Sequence, residues 1–177
     1  MEIRNLKAEE IECRVNQISE KGLSLLLYKD ARCDMNILDE TVGSMNWQRE
    51  HRELKGNIYC GVSIWDNEKS QWVTKWDAGK ESNTEAEKGE SSDSFKRACV
   101  NWGIGRELYT APFIYISSDK AKIVKNDKGK YTTLDKFCVE AIKYNKNSEI
   151  IGLSIKNQIG TRVYLMKPKE VKNEDNK

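Results

Sequence analysis

The stretch Ser91–Tyr109, which reads SSDSFKRACVNWGIGRELY, most strongly constrains how this 177-residue chain can fold. Four of its apolar residues recur at i, i+3, i+4 and i+7, the spacing of one buried helix face. They are Phe95, Ala98, Cys99 and Trp102. Gly103 and Gly105 follow, and glycine readily adopts the left-handed conformation that ends a helix. The pattern predicts a helix anchored through one face, with Lys96 and Arg97 beside that face.

An adjacent Lys-Arg pair on a helix is open to two interpretations. It is most commonly a solvated edge that keeps the protein soluble. It is also a pair of fixed cations that can bind an anionic ligand. The helix pattern does not decide between the two, so the rest of the chain has to.

The overall composition is that of a soluble globular domain, with 38% hydrophobic and 33% charged residues. The longest apolar run, Leu23–Tyr28, is far too short to cross a bilayer, and the start MEIRNLKAEE lacks the regions of a signal peptide. We therefore expect a cytoplasmic protein with no membrane partner. The net charge is only +2, so any binding of nucleic acid has to be local.

The cysteines are odd in number, dispersed, and never form a CxxC pair, which argues against a disulfide framework and a zinc site. They are Cys13, Cys33, Cys60, Cys99 and Cys138. The single histidine, His51, has no sequence signal for a catalytic partner. No Lys-Ser/Thr follows Gly103-Ile104-Gly105, so a phosphate loop is not indicated, and we expect no cofactor.

Three acidic residues invite a different hypothesis. Glu87, Glu90 and Asp93 are spaced at i, i+3 and i+6, which raises the possibility of a divalent-metal nuclease. That spacing spreads Glu87 and Asp93 around the helix, and ordinary acidity at a helix N-terminus explains the same residues. The nuclease stays an alternative, and we expect no metal site.

The chain up to residue 118 predicts a hairpin, a helix, three strands and the long helix. Alternating residues indicate strands at 11–19 and 23–28 around the turn Ser19–Gly22, and helical spacing from Asp30 stops at Gly43. Trp47–Lys55 alternates with polar residues on both faces, as in an edge strand or a groove. Asn57–Trp65 and Gln71–Asp77 complete a three-stranded antiparallel meander onto which the helix from 95 to 102 packs.

Beyond residue 118 we expect a small appendix. Residues 119–130 form a charged loop, Leu134 to Asn145 fit a helix, and strands follow at 149–156 and 161–166. The last eleven residues, 167–177, are polar and predicted to be disordered. The fold class is thus α+β: an antiparallel meander packed on a long helix in a β-β-β-α core, with an N-terminal hairpin and a C-terminal α/β appendix.

Local cations make nucleic acid the best-supported ligand. Arg and Lys that contact phosphates release counterions and give salt-sensitive affinity. Arg97 and Arg106 bracket the helix end, and Arg49, Arg52 and Lys55 form a second group. Strand aromatics are open to two interpretations, since they stack on bases in some proteins but more often fill a core. They are Tyr28, Trp47, Tyr59, Trp65, Trp72 and Trp76.

Several separated motifs resemble one family. YKDARCDMNILDETVGSMNW, the hairpin around YCGVSIWD, and EKGESSDSFKRA with WGIGRELY are similar, in the same order, to the Rad52 superfamily of single-strand annealing proteins. The resemblance covers roughly residues 23–116 and is closest to the bacteriophage recombination branch. It implies non-enzymatic, sequence-independent binding of single-stranded DNA in a basic groove of a homo-oligomeric ring or spiral, and annealing of complementary strands.

The resemblance also assigns residues. The Lys-Arg pair that contacts DNA in the family corresponds to Lys96 and Arg97, and its groove arginine corresponds to Arg32. A third basic residue of some relatives falls at Val100, for which Arg106 is a candidate substitute. The resemblance implies action in the host cytoplasm if the protein is phage-encoded, with a single-strand binding protein as a candidate partner. A recombination scaffold that binds DNA weakly is a further alternative.

Overall fold

The computed structural model describes residues 1–80 and 86–168, with side chains from residue 89 onward in the second range. The helices are α1 (Ala31–Val42) and α2 (Ala86–Trp102), and short 3₁₀ turns span Ala8–Glu10 and Arg106–Thr110. The strands are β1 (Glu12–Ser19), β2 (Gly22–Tyr28), β3 (Trp47–Leu54), β4 (Asn57–Asp66), β5 (Gln71–Ala78), β6 (Ile114–Ser117), β7 (Ile123–Lys125), β8 (Tyr131–Thr133), β9 (Phe137–Tyr144), β10 (Ile150–Asn157) and β11 (Arg162–Met166). The fold is therefore mixed α+β with antiparallel sheets.

The chain forms two compact units. Unit 1 combines Met1–Leu6 with Lys29–Arg106, and unit 2 combines Lys7–Tyr28 with Glu107–Lys177. Unit 1 contains α1, the strands β3 to β5 and α2, whereas unit 2 contains the other strands. Whether the segments 1–118, 119–130, 131–166 and 167–177 behave as separate domains stays a prediction.

Helix α1 begins and ends at the residues that the sequence indicates. The Asp30 carboxylate accepts a hydrogen bond of 2.8 Å from the Cys33 amide, which satisfies one of the free N–H groups at the helix start. Gly43, with φ of 83°, follows the last turn and donates its N–H to the Asp39 carbonyl at 3.0 Å. The prediction of a helix from Asp30 to Gly43 is confirmed.

The meander and its packing helix are confirmed as well. Strands β3, β4 and β5 pair in sequence order, and α2 packs on β4 and β5. On β4 the side chains of Cys60 and Val62 are fully buried, while β3 is almost entirely exposed and lies at a sheet edge. The polar faces of β3 thus reflect an edge strand, one of the two options that its sequence allows.

Unit 2 is built around a six-stranded antiparallel sheet in the order β11-β10-β9-β1-β2-β6. The predicted N-terminal hairpin supplies β1 and β2, and β11 contacts β6 from the other end of the sheet, so the sheet is nearly closed. A separate hairpin pairs β7 with β8 inside and just after the segment predicted as a charged loop. The predicted strands at 149–156 and 161–166 are confirmed as β10 and β11.

The helix predicted from Leu134 to Asn145 is wrong, because this segment forms β9. Phe137 and Val139 are buried while Cys138 between them is exposed, which is the alternation of a strand. Leu134, which a helix would bury, is 83% exposed. Pairing with β10 along the whole strand satisfies the backbone of β9, and this long-range partner overrides the helical spacing.

Two predictions concern residues outside those described. One is that the helix of the stretch Ser91–Tyr109 can begin as early as Thr84, and the other is that positions 169–177 of the C-terminal tail are disordered. Within the residues described, neither helix combines the length and the apolar character needed to cross a membrane.

Candidate nucleic-acid interface

Helix α2 is held rigidly through its apolar face. Phe95, Ala98 and Cys99 are fully buried, as their spacing predicts. Trp47 of β3 stacks on Phe95 with ring centroids 6.2 Å apart, and Trp102 donates its indole N–H to the Val62 carbonyl at 2.9 Å. Contacts at both ends of the buried face fix the rotation of the helix, and with it the directions of its remaining side chains.

His51 takes part in this anchoring. Its Nε2 lies 3.2 Å from the Ser91 carbonyl oxygen and 3.1 Å from the Ser91 hydroxyl oxygen. The histidine therefore ties the edge strand β3 to the first half of α2. This contact gives His51 a structural explanation, in agreement with its lack of any catalytic signal in the sequence.

Lys96 and Arg97 lie next to each other beside the buried face, and both are partly exposed. The Arg97 guanidinium donates to the Asp93 carboxylate at 3.0 Å, one turn earlier in the same helix. Among the described residues, no hydrogen bond or ion pair engages the Lys96 ammonium. Arg97 is thus paired with a carboxylate of its own helix, whereas the Lys96 ammonium has no carboxylate in contact among the described residues.

A buried ion pair lies close to Lys96. Lys29, just after β2, donates to the carboxylate of Asp34 on α1, and both side chains are almost completely inaccessible to solvent. The second carboxylate oxygen of Asp34, Oδ2, is buried without a hydrogen-bond partner among the residues described. Burial raises the pKa of Asp34 to about 6, while the positive charges of Lys29 and Lys96 act in the opposite direction.

Two further cations, from outside the helix, lie at the C-terminal end of α2. The Arg106 guanidinium donates to the Val100 carbonyl at 2.9 and 3.3 Å and to the Asn101 carbonyl at 3.2 Å. Lys75 of β5 donates to the Asn101 carbonyl at 2.8 Å, and its ammonium lies 4.3 Å from the centre of the Trp102 ring. These side chains satisfy terminal carbonyls and offset the negative end of the helix dipole. No pattern in the sequence indicates Lys75.

Arg106 therefore lies close to the position at which some relatives of the resembled family carry a third basic residue. Val100 is partly exposed and supplies no charge itself. The structure brings the guanidinium of Arg106, six residues later, onto the backbone of Val100. Val100 and Arg106, which the family resemblance alone relates in the sequence, are therefore in contact in the structure.

Arg32 is in the first turn of α1, in the same unit as α2. Its side chain is 85% exposed, and its guanidinium lies 3.6 Å from the Asp30 carboxylate. Helix α1 contacts α2. Arg32 is an exposed surface cation whose ion pair with Asp30 restrains it little, because exposed pairs of this kind contribute little energy.

The second group of predicted cations, Arg49, Arg52 and Lys55, does not lie on one face of β3. The Arg49 guanidinium lies 4.8 Å from the centre of the Phe95 ring, on the side of β3 that faces α2. Arg52 is on the opposite face, where it stacks 4.8 Å from the Trp76 ring and pairs with Glu50 at 2.9 Å. Lys55 is exposed in the turn between β3 and β4. Only Arg49 of these three is brought against the helix that carries Lys96.

The acidic residues of the nuclease hypothesis have structural partners. Glu90 is buried and accepts a hydrogen bond of 2.7 Å from the Ile58 amide, and Asp93 accepts from the Lys80 amide at 3.1 Å as well as from Arg97. The side chain of Glu87 lies outside the described residues. In the described part of the chain, no group of three potential metal-ligating side chains comes together.

A comparison with known families gives one match. The profile of the Rad52/22 family double-strand break repair protein matches residues 3–128, well over half of the chain. The chain belongs to the Rad52/22 family. Searches among curated proteins and among solved structures give no match.

Membership of the Rad52/22 family implies DNA binding and a role in DNA repair and recombination, and proteins of this family are generally non-enzymatic. The family match includes all seven predicted DNA-binding residues, which are Arg32, Arg49, Arg52, Lys55, Lys96, Arg97 and Arg106. It includes the buried pair of Lys29 and Asp34 as well. A lysine five residues before an aspartate gives no sequence signal of burial, so this pair could be found only in the fold.

Proposed function

We propose that this Rad52/22 family protein binds single-stranded DNA through the cations of α2 and anneals complementary strands without covalent chemistry. The observation that carries the proposal is the state of Lys96 and Arg97. They project from a helix that is anchored beside them by the fully buried Phe95, Ala98 and Cys99, and Lys96 has no ion-pair partner among the described residues. An ammonium on an anchored helix, without an ion-pair partner in contact, is suited to a phosphate, because condensed counterions are released when the phosphate binds.

Arg97 is proposed as the second phosphate contact. Its ion pair with Asp93 is about one third exposed on both sides, and such pairs stabilise proteins by roughly 0–1 kcal/mol. A phosphate can therefore replace Asp93 at little energetic loss. Arginine adds a planar fork of donors that can engage two phosphate oxygens together.

Contacts to the backbone fit the requirements of annealing. Phosphates carry no sequence information, so a protein that holds them accepts any strand. A strand held by its phosphates leaves its base edges free to pair with a complementary strand. We propose Arg106, Arg32 and Arg49 as additional groove contacts, since Arg106 extends the positive surface along α2 and Arg49 lies against Phe95. Arg52 and Lys55 are proposed as outer contacts.

The active form is proposed to be a homo-oligomeric ring or spiral, as the sequence resemblance implies. Near-neutral net charge limits repulsion between subunits, while repeated local cations add along a shared groove. The phage branch of the family, a single-strand binding protein as partner, and action in the host cytoplasm are finer parts of the same proposal. Size measurement and electron microscopy with and without single-stranded DNA test the assembly.

The site assignment is tested with Lys96→Ala combined with Arg97→Ala. We expect the double variant to lose most of its affinity for a labelled single strand and its acceleration of annealing. Loss of two phosphate contacts should also reduce the slope of log K against log salt by about 1.4, at about 0.7 per contact for single strands. Fluorescence anisotropy over a salt series gives both quantities.

A charge-matched control separates the site from general electrostatics. Lys128→Ala with Lys130→Ala removes two exposed lysines from the turn between β7 and β8. This control should bind and anneal as the wild type does. Equal losses in the two double variants, or normal annealing by the α2 variant, would show that the site is misassigned. Shortened strands in the presence of magnesium would instead support the nuclease hypothesis.

A further inference from the structure

Two exposed aromatic side chains stand side by side at one edge of the six-stranded sheet of unit 2. Phe113 immediately precedes β6 and is 78% exposed, and Tyr115 within β6 is 45% exposed. Their ring centroids are 6.5 Å apart and the ring planes differ by 15°. Residues at i and i+2 of an extended chain point to the same face of a sheet, which explains the parallel arrangement.

The buried neighbours of the two aromatic residues and one hydrogen bond hold the pair in place. Ile114 and Ile116, which alternate with the aromatic residues, are almost completely buried and fix the strand against the core. The Tyr115 hydroxyl donates to the carbonyl of Lys21 at 2.9 Å. An exposed aromatic plane that is fixed before binding loses little conformational entropy when a flat ligand stacks on it.

An open groove of about 460 Å³ runs beside the two rings. Besides Phe113 and Tyr115 its lining comes from β1, β2 and the turn between them, and it includes Gln17 and Ser24 but no carboxylate. Gln17 is exposed, and its side-chain amide makes no hydrogen bond among the described residues. Glu20 of the same turn is turned to another partner, since its carboxylate accepts from the Tyr131 hydroxyl at 2.9 Å.

We propose that Phe113 and Tyr115 form a stacking platform for a nucleobase of single-stranded DNA. This inference rests on the proposed function and adds a second kind of contact to it, one to a base instead of to phosphates. A base stacks through its face on the exposed ring of Phe113, and the amide of Gln17 can donate to the sugar-phosphate backbone of the same nucleotide, so the base edge stays free for pairing. The nucleotide backbone meets no negative charge from the groove lining.

The observations favour a base over an apolar segment of a protein partner. An apolar segment gains affinity mainly from the apolar area it buries, whereas a flat base gains it by stacking on an exposed aromatic plane. The parallel rings, the polar lining and the absence of carboxylates from that lining all suit a nucleotide. Family membership independently brings DNA to this chain.

The experiment compares two single strands of equal length and charge in anisotropy titrations of the full chain. One is oligothymidylate, and the other carries abasic residues in place of the thymidines. The wild type should bind oligothymidylate more tightly than the abasic strand. Phe113→Leu, which keeps an apolar side chain without a ring, should weaken binding of oligothymidylate by about 5- to 150-fold, corresponding to 1–3 kcal/mol for one stacked base.

The abasic strand should bind Phe113→Leu as well as it binds the wild type, and Phe113→Trp should restore the preference for bases. Lys96→Ala with Arg97→Ala should weaken both strands equally, so the platform and the phosphate site fail in different ways. Wild-type behaviour of Phe113→Leu toward oligothymidylate, or equal losses on both strands, would overturn the platform. Normal binding by Phe113→Leu together with loss in Phe113→Ala would show that apolar bulk and not an aromatic ring supports DNA binding, and would likewise overturn the platform. Binding of neither strand by the wild type would overturn both proposals.

Discussion

Gly105 is the residue at which a single added methyl group should damage unit 1 most specifically. Its φ of 71° is in the left-handed region, and a Cβ built there would lie 2.6 Å from Cδ of Lys29. Lysine side chains usually move away from such a contact easily. Lys29 is 5% exposed and paired with Asp34, so it has no free space to move into without breaking that pair.

The expected loss of stability has two parts. Alanine in a left-handed conformation destabilises the fold by roughly 1–2 kcal/mol. Displacing Lys29 leaves the buried Asp34 without its counter-charge, and removal of one partner from a buried ion pair destabilises proteins by about 3–5 kcal/mol. The second part is specific to Gly105, since Gly56 has a similar φ of 77° with no atom near its potential Cβ.

The measurement is thermal unfolding of Gly105→Ala and Gly56→Ala at one protein concentration, followed by circular dichroism. For a chain of this size 1 kcal/mol corresponds to about 2–4 °C in Tm. Gly105→Ala should therefore unfold roughly 6–20 °C below Gly56→Ala. In a Lys29→Ala background the difference should vanish, because the clash is gone and Asp34 is already unpaired.

Equal Tm values for Gly105→Ala and Gly56→Ala would refute the reasoning. They would mean that Lys29 finds another arrangement at little energetic loss, and that the ion pair does not depend on the glycine. A difference that persists in the Lys29→Ala background would instead place the strain in the backbone of the turn.

Further predictions concern the helix end, the buried carboxylate and the sheet. Burial raises the pKa of Asp34 to about 6 from an ordinary value near 4, so folding should take up a proton at this residue between those pH values. The stability of the wild type, measured by urea titration, should therefore fall relative to that of Asp34→Asn as the pH rises from about 4 to 6. A difference that stays constant over this range would contradict the prediction. Arg106→Ala should lose about 0.3–1 kcal/mol of stability with the bonds to Val100, and should reduce the salt slope for single-stranded DNA by about 0.7. An unchanged slope would mean that Arg106 only caps the helix. Gly61→Ala should displace the Trp76 ring, 2.6 Å from the added Cβ, and alter the near-UV circular dichroism; an unchanged spectrum would argue against that packing.

The parts of the fold that follow from sequence are those with local signals. Asp30 and Gly43 mark the ends of α1, and both make the capping contacts expected of them. The apolar spacing in α2 identifies its buried face, and the alternating polar residues of β3 identify an edge strand. The caps of α1 are contacts within a few residues, and the buried face of α2 and the edge strand follow from a local spacing of apolar and polar residues, so the pattern alone contains the information.

The segment Phe137–Tyr144 shows where local signals end. Its sequence FCVEAIKY satisfies a helical spacing and a strand alternation at once, and only pairing distinguishes them. The partners of β9 are β10 and β1, and the pairing of Cys138 with Glu12 joins residues more than a hundred positions apart. No local pattern reveals such a contact, and the same limit hides the burial of Lys29 and Asp34.

The turn after α2 explains how Arg106 can place a positive charge beside Val100, the position at which some relatives carry a basic residue. Val100 is one helical turn after Lys96, where helix geometry alone would direct a third cation beside the first. Gly103 and Gly105, with φ of 109° and 71°, reverse the chain within three residues, which residues with a Cβ disfavour. The reversal returns Arg106 to the carbonyl of Val100, so the positive charge comes from the turn and caps the helix at the same time. If phosphates bind along α2 as proposed, Gly103 and Gly105 determine where Arg106, the third cation after Lys96 and Arg97, is placed. Substitution of either glycine should then change the affinity for DNA even where the protein stays folded.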